Sequence, residues 1–159
     1  MGGLGEVEKE AIAAGRVIEQ SGFEQTLGEF AGSVERRRID EAQTLASELP
    51  HIYGSNGIVS AVCHGPAGLL NVKLSNGKSL INGRQLTGFT AEEEASRHYD
   101  KIVPFELEGA LKNAGAIFEE APIFENKIVV DGRLITGQNP ASARAFGEAI
   151  VKALETKTQ

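Results

Sequence analysis

The chain has one cysteine, Cys63, and it is followed directly by His64. A thiolate attacks carbonyl carbon and an imidazole exchanges protons near neutral pH, so the two side by side offer covalent attack with proton transfer. The positive end of a following helix and an adjacent base both favour the thiolate. Cys63 is therefore expected to be the most reactive nucleophile and to have a depressed pKa. The plain alternative is an inert core thiol, which is common for a free cysteine. A single cysteine cannot close an intramolecular disulfide, and this fits a reducing compartment.

The other chemistry-bearing residues are fewer. Glu92-Glu93-Glu94 follow Thr90, whose spacing to Glu93 is that of a capping box. Glu94 also stands four residues before His98, so an ordinary helical pair is an alternative use for it. His51 and His98 read as surface or partly buried histidines, and no His, Cys, Asp or Glu grouping has metal-ligand spacing. No metal and no cofactor are expected. Arg36-Arg37-Arg38 lie between Glu35 and Asp40 and read as a solvated helix face. With a net charge of −6, nucleic acid is not an expected partner.

The elements that must position Cys63 are legible around it. Ile58-Val59-Ser60-Ala61-Val62-Cys63 is a short, nearly unbroken apolar run after Gly54-Ser55-Asn56-Gly57, and such runs suit a parallel strand covered on both faces. His64-Gly65-Pro66 turns sharply and Ala67-Gly68-Leu69-Leu70 begins a helix. A strand that stops at a nucleophile and turns into a helix is a nucleophile elbow. Before it, Asp40 caps a helix that Pro50 ends. After it come short extended pieces around Asn82-Gly83, a helix from Thr90, and a helix opened by Pro104 with Leu107, Ala110, Leu111 and Ala114 inward. A strand at residues 116–118 and a hairpin turning at Asp131-Gly132 follow. Asn139-Pro140 cap a last helix that buries Ala143, Phe146, Ile150 and Leu154. Residues 127–130 and 133–136 form the hairpin, which is expected at the sheet's periphery, with 58–63 central. Residues 6–34 are helix-prone and carry no chemistry.

Ala61-Val62-Cys63-His64-Gly65-Pro66 resembles the nucleophile motif of the ThiJ/PfpI superfamily (class I glutamine amidotransferase-like). Leu86-Thr87-Gly88-Phe89-Thr90 with the glutamate triplet resembles the segment that carries the acid in its glyoxalase III and heat-shock chaperone branch. Leu134-Ile135-Thr136-Gly137-Gln138-Asn139-Pro140-Ala141-Ser142 resembles that branch's closing segment. The resemblance implies an α/β, flavodoxin-like layered sandwich with a mostly parallel sheet, incomplete at the N-terminus. It divides the chain into a divergent segment, 1–39, and a catalytic portion, 40–159. Position by position, it makes Cys63 the nucleophile, His64 the acid/base residue and Glu94 the carboxylate orienting His64, with Glu92 and Glu93 as neighbouring alternatives.

By the same resemblance, the activity is glutathione-independent conversion of methylglyoxal or related 2-oxoaldehydes to D-lactate, with repair of glycation adducts as a neighbouring activity. A stress-response chaperone, or a family member that has lost catalysis, is the other reading. Relatives carry several βα units and a Gly-Gly-His-Gly-like oxyanion loop before the elbow. Residues 1–39 show no counterpart, so catalysis is expected to be weak. A homo-oligomer, a dimer, is also implied. The 159 residues and 41% apolar content suit one domain, and no run is apolar and long enough to span a bilayer. A soluble, cytoplasmic protein with a small-molecule substrate and no membrane partner is expected.

Overall fold

The computed structural model describes residues 47–157, so the helix-prone segment 1–39 and the helix start expected at Asp40 lie outside the described residues. Helix α1 covers 47–54 and runs through Pro50 rather than ending there. A proline gives up one backbone bond, whereas the stop is built further on. Asn56 adopts a left-handed φ of 64°, Gly57 N–H donates to Ile52 O at 2.6 Å and Asn56 N–H to Tyr53 O at 3.2 Å. This is a Schellman end with asparagine at the left-handed position. Arg133 donates to the carbonyls of Tyr53 and Gly57 and stacks its guanidinium 4.0 Å from the Tyr53 ring centre. The α1 end is thereby tied to the hairpin.

Strand β1 is Val59–Val62, and it pairs in parallel with β5, Leu134–Gly137. The other partner of β5 is the antiparallel β4, Ile128–Asp131. Among the described residues the order is therefore β1-β5-β4, which corrects the expectation that the Cys63 strand is central and the hairpin peripheral. The reason is visible in β5, where all four residues are buried while three of the four in β1 are only partly so. The hairpin loop is Gly132-Arg133, because Asp131 already pairs with Leu134. Gly132 takes the positive φ of 60° that the first loop position demands.

A second, two-stranded sheet pairs β2, Gln85–Leu86, in parallel with β3, Ile117–Phe118. Two of the three ladders are thus parallel, and the α/β layered class with a mostly parallel sheet holds. Helix α2, Ala91–Ser96, begins with the expected capping box of Thr90 and Glu93. Helix α3, Leu107–Asn113, starts three residues later than Pro104, because the Glu106 carboxylate accepts Gly109 N–H and serves as its cap. Leu107 and Leu111 face inward, as their spacing predicts.

The helix expected after the elbow is only a 3₁₀ segment, Gly65–Leu69. The last helix, α4, is Ala143–Lys157 and lies against all three strands of the main sheet. Of its expected inner residues Phe146 is buried and Ile150 half-buried, but Ala143 and Leu154 are exposed. The core joins Tyr53, Val59, Leu69, Val72, Leu80, Ile81, Leu86, Phe89, Leu107, Leu111 and Leu134 around Cys63.

Because β5 has neighbours on both edges and no exposed residue, its amides are expected to exchange most slowly. Hydrogen exchange should show greater protection across Leu134–Gly137 than across Val59–Val62. The reverse ranking would contradict this arrangement.

Candidate active site

Cys63 sits just beyond the end of β1 at φ 61°, a left-handed conformation unusual for a residue with a side chain. Its N–H donates to Gly137 O at 2.9 Å, and its own carbonyl accepts Phe89 N–H at 2.8 Å. Two glycines leave room around these bonds. A Cβ on Gly137 would come within 3.0 Å of the Val62 side chain, and one on Gly88 within 3.3 Å of Cys63 O.

His64 follows the elbow and lays its ring beside that of Phe89, with centroids 4.6 Å apart, and Tyr99 stands 6.4 Å away. Its Nδ1 lies 3.6 Å from Cys63 Sγ, and its Nε2 lies 3.1 Å from Glu94 Oε1. A carboxylate only accepts, so the proton of the neutral ring belongs on Nε2, and Nδ1 presents a lone pair to the thiol. The structure therefore brings Cys63, His64 and Glu94 into one line.

The glutamate triplet separates by environment. Glu92 is exposed on α2, whereas Glu93 and Glu94 are buried. Glu93 is consumed by structure, its Oε2 accepting from Thr90 N–H and hydroxyl and its Oε1 from Phe124 N–H, Gln138 and Asn139. Glu94 turns to His64, and His98 is not its partner. Its second oxygen, Oε2, is buried with no hydrogen-bond partner among the described residues. His98 and His51 are exposed.

The expected depressed thiol pKa is not found. Burial pushes the Cys63 thiol up to about 12, and the negative charges of Glu93 and Glu94 add to this, while the His64 backbone N–H opposes it. The physical reason is burial of the sulfur in the core, which disfavours the charged form, and the five-residue 3₁₀ segment that follows the elbow has little of the macrodipole that could offset it. With the proton held this firmly, on the order of one molecule in 10⁵ carries a thiolate at pH 7. Attack then requires that the proton pass to His64 Nδ1 as the sulfur bonds to carbon, with Glu94 stabilising the charge that develops on the ring.

Several residues near the site carried no chemical signal in the sequence. Phe89 and Tyr99 flank His64, and Gln138 and Asn139 turn buried amides toward Glu93. Asn139 was expected to cap α4, yet its side chain makes no cap bond there. It donates instead to Glu93 Oε1 and Glu125 O at 2.7 and 2.8 Å. Two adjacent carboxamides directly after a buried strand were the available hint.

A layered α/β domain with a Cys-His-Glu line at a strand-end elbow defines a class, and the comparisons give it a family. A profile of the DJ-1/PfpI family matches residues 32–153, and the chain belongs to that family. It is similar to the glutathione-independent glyoxalase HSP31 of Saccharomyces cerevisiae, with 39% identity over 74% of this chain and 51% of the relative. Among solved structures, glyoxalase III of Candida albicans matches with a TM-score of 0.63 and 30% identity, over 80% of this chain and 52% of that one. The 24 kDa rapid encystment protein of Francisella tularensis matches at 0.69 and 36%, over 81% and 53%. The flavodoxin-like layered fold is thus shown on both counts. The chain spans about half the length of the relatives it matches.

A thiol raised to about 12 keeps gaining thiolate as pH climbs through neutrality and beyond. Iodoacetamide alkylation of Cys63 in the folded chain is therefore expected to keep rising with pH from 7 to 10 without levelling. A plateau reached below pH 8 would show that the sulfur is already ionised.

Proposed function

We propose that this chain carries the catalytic half of a glutathione-independent glyoxalase, acting on methylglyoxal or a related 2-oxoaldehyde. The observation that carries this reading is the Cys63-His64-Glu94 line, in which each side chain meets the next through a contact suited to its role. Relatives bearing the name glutathione-independent glyoxalase support it. Cys63 is the nucleophile, His64 the acid/base residue and Glu94 the carboxylate that orients it.

In this reading the sulfur adds to the aldehyde carbon, its proton passing to Nδ1 and on to the new hydroxyl oxygen, which gives a hemithioacetal. His64 then removes the proton from that carbon and returns one to the neighbouring carbon through an enediol. The product is a thioester of a 2-hydroxy acid. Water releases D-lactate and restores the thiol. No electron leaves or enters, so no redox partner is required, and the protein thiol takes the part that a soluble thiol would otherwise play. A cytoplasmic location and assembly as a homodimer belong to the same proposal. Among the described residues no helix is long and apolar enough to cross a membrane.

D-lactate formation from methylglyoxal tests the reading. The unmodified chain is expected to turn over slowly, because the thiol is held protonated. Cys63→Ala should abolish the product, and His64→Ala should lower kcat by about 10²–10⁴. D-lactate formed at the same rate by Cys63→Ala would overturn the assignment.

A further inference from the structure

Glu93 stands one residue before the carboxylate that faces His64, and its side chain is wholly buried. Five donors converge on it: Thr90 N–H at 3.0 Å and hydroxyl at 3.3 Å, Phe124 N–H at 2.8 Å, Gln138 Nε2 at 3.2 Å and Asn139 Nδ2 at 2.7 Å. The capping box accounts for one of the five, the Thr90 N–H, and the Thr90 hydroxyl is a second local contact. The remaining three reach residues 31, 45 and 46 positions further along the chain. Gln138 passes the connection on, since its Oε1 accepts Ala121 N–H and its Nε2 also donates to Ala121 O.

Phe124 is the informative partner. Its φ of 59° is a left-handed conformation that a bulky side chain resists, and strain of this kind persists only where the surroundings over-determine it. The Phe124 N–H bond to Glu93 supplies part of that constraint. Arg97 supplies another part, its guanidinium standing 4.9 Å from the ring centre. Held this way, the Phe124 ring lies 6.3 Å from that of Phe89, and Phe89 lies 4.6 Å from the His64 imidazole.

We propose that Glu93 is a positioning residue for the Cys63-His64-Glu94 line: it anchors the strained Phe124 turn and the amides of Gln138 and Asn139, and thereby holds the Phe124-Phe89 ring pair against the His64 imidazole so that Nδ1 faces the sulfur. This rests on the reading of those three residues as the reacting groups. A carboxylate is required because every group around it donates. An amide of the same shape would turn its own N–H groups toward at least two of the five donors. The effect on Cys63 also has a distinctive sign. The titratable and charged groups around the sulfur are His64, Glu93 and Glu94, with Tyr99 beside the imidazole and Arg97 over Phe124. Removing the Glu93 charge alone would ease ionisation of the thiol and speed its alkylation, whereas releasing His64 from its place would slow it.

The pH-rate profile of iodoacetamide alkylation, measured on folded protein, separates these effects. Glu93→Gln is expected to be about tenfold slower than the unmodified chain at each pH, since misplacement of a reacting group by about 1 Å can cost up to 10²-fold. Phe124→Asn should be slowed in the same way, because asparagine tolerates the left-handed backbone and keeps the N–H to Glu93 but lacks the ring. It also leaves every charge in place, and it decides the question should Glu93→Gln fail to fold. Faster alkylation in folded Glu93→Gln, or an unchanged profile in Phe124→Asn, would overturn the proposal. The probe is iodoacetamide alone, so a chain that makes no D-lactate leaves the outcome readable.

Discussion

The site depends on one constraint, a cysteine held at positive φ by backbone bonds on both sides. Left-handed backbone costs a residue with a side chain about 1–2 kcal/mol, and the cost is met because Cys63 has little choice. Its N–H continues the parallel ladder to Gly137, and its carbonyl is taken by Phe89 N–H. These two bonds join β1 to the segments that resemble the family's acid-bearing and closing motifs. The three motifs are therefore one hydrogen-bonded unit in space, and the turn that presents the sulfur is held from both of the other two. Thr87 N–H, which donates to the Thr136 hydroxyl at 2.9 Å, adds a further link between two of them.

The two buried glutamates show how environment divides labour between identical side chains. Glu93 is saturated by donors, so its negative charge is spread over five hydrogen bonds and its position is fixed. Glu94 meets His64 through Oε1, and its second oxygen has no hydrogen-bond partner among the described residues. A buried carboxylate in that state is poorly compensated, and the cost of leaving such a group unmatched is several times that of an ordinary hydrogen bond. Positive charge on His64 relieves it. In the proposed reaction that interaction is drawn on when the imidazole accepts a proton, and Glu93 is proposed to hold the surrounding geometry.

Much of this was legible in the sequence where a local rule governs. The capping box of Thr90 and Glu93, the hairpin around Gly132 and the inward Leu107 and Leu111 follow from short-range spacing. The residues brought into line with Cys63 followed from resemblance, not from spacing, since Glu94 is 30 positions from His64. What could not be read is set by long-range pairing. Strand order depends on which edge of β5 is occupied, and a short apolar run gives no preference between centre and edge. Asn139 reads as a cap because Asn-Pro often is one, but its Oδ1 accepts from the Ser142 hydroxyl rather than from a backbone N–H, and its amide nitrogen is held by Glu93, 46 positions away, and by Glu125 O. The thiol's pKa was misjudged for a related reason. Burial and the nearby Glu93 and Glu94 charges decide it, and neither is written in the His64-Gly65-Pro66 turn.

The raised thiol pKa and the catalytic reading are compatible for a definite reason. A sulfur that is ionised at rest would sit in a low-dielectric pocket near two glutamate charges, and each would oppose it. A sulfur that gives up its proton only as it bonds to carbon never holds that charge alone. The negative charge moves onto the substrate oxygen, the positive charge appears on His64, and Glu94 is placed 3.1 Å from the ring nitrogen to receive it. The neighbours that make Cys63 a poor standing thiolate therefore become helpful once the proton moves with the attack. That requires Nδ1 to be in place beforehand, because a transfer over 3.6 Å leaves little room for a misdirected ring. The geometry of His64, and so of the rings packed on it, is the property on which reactivity at this elbow turns.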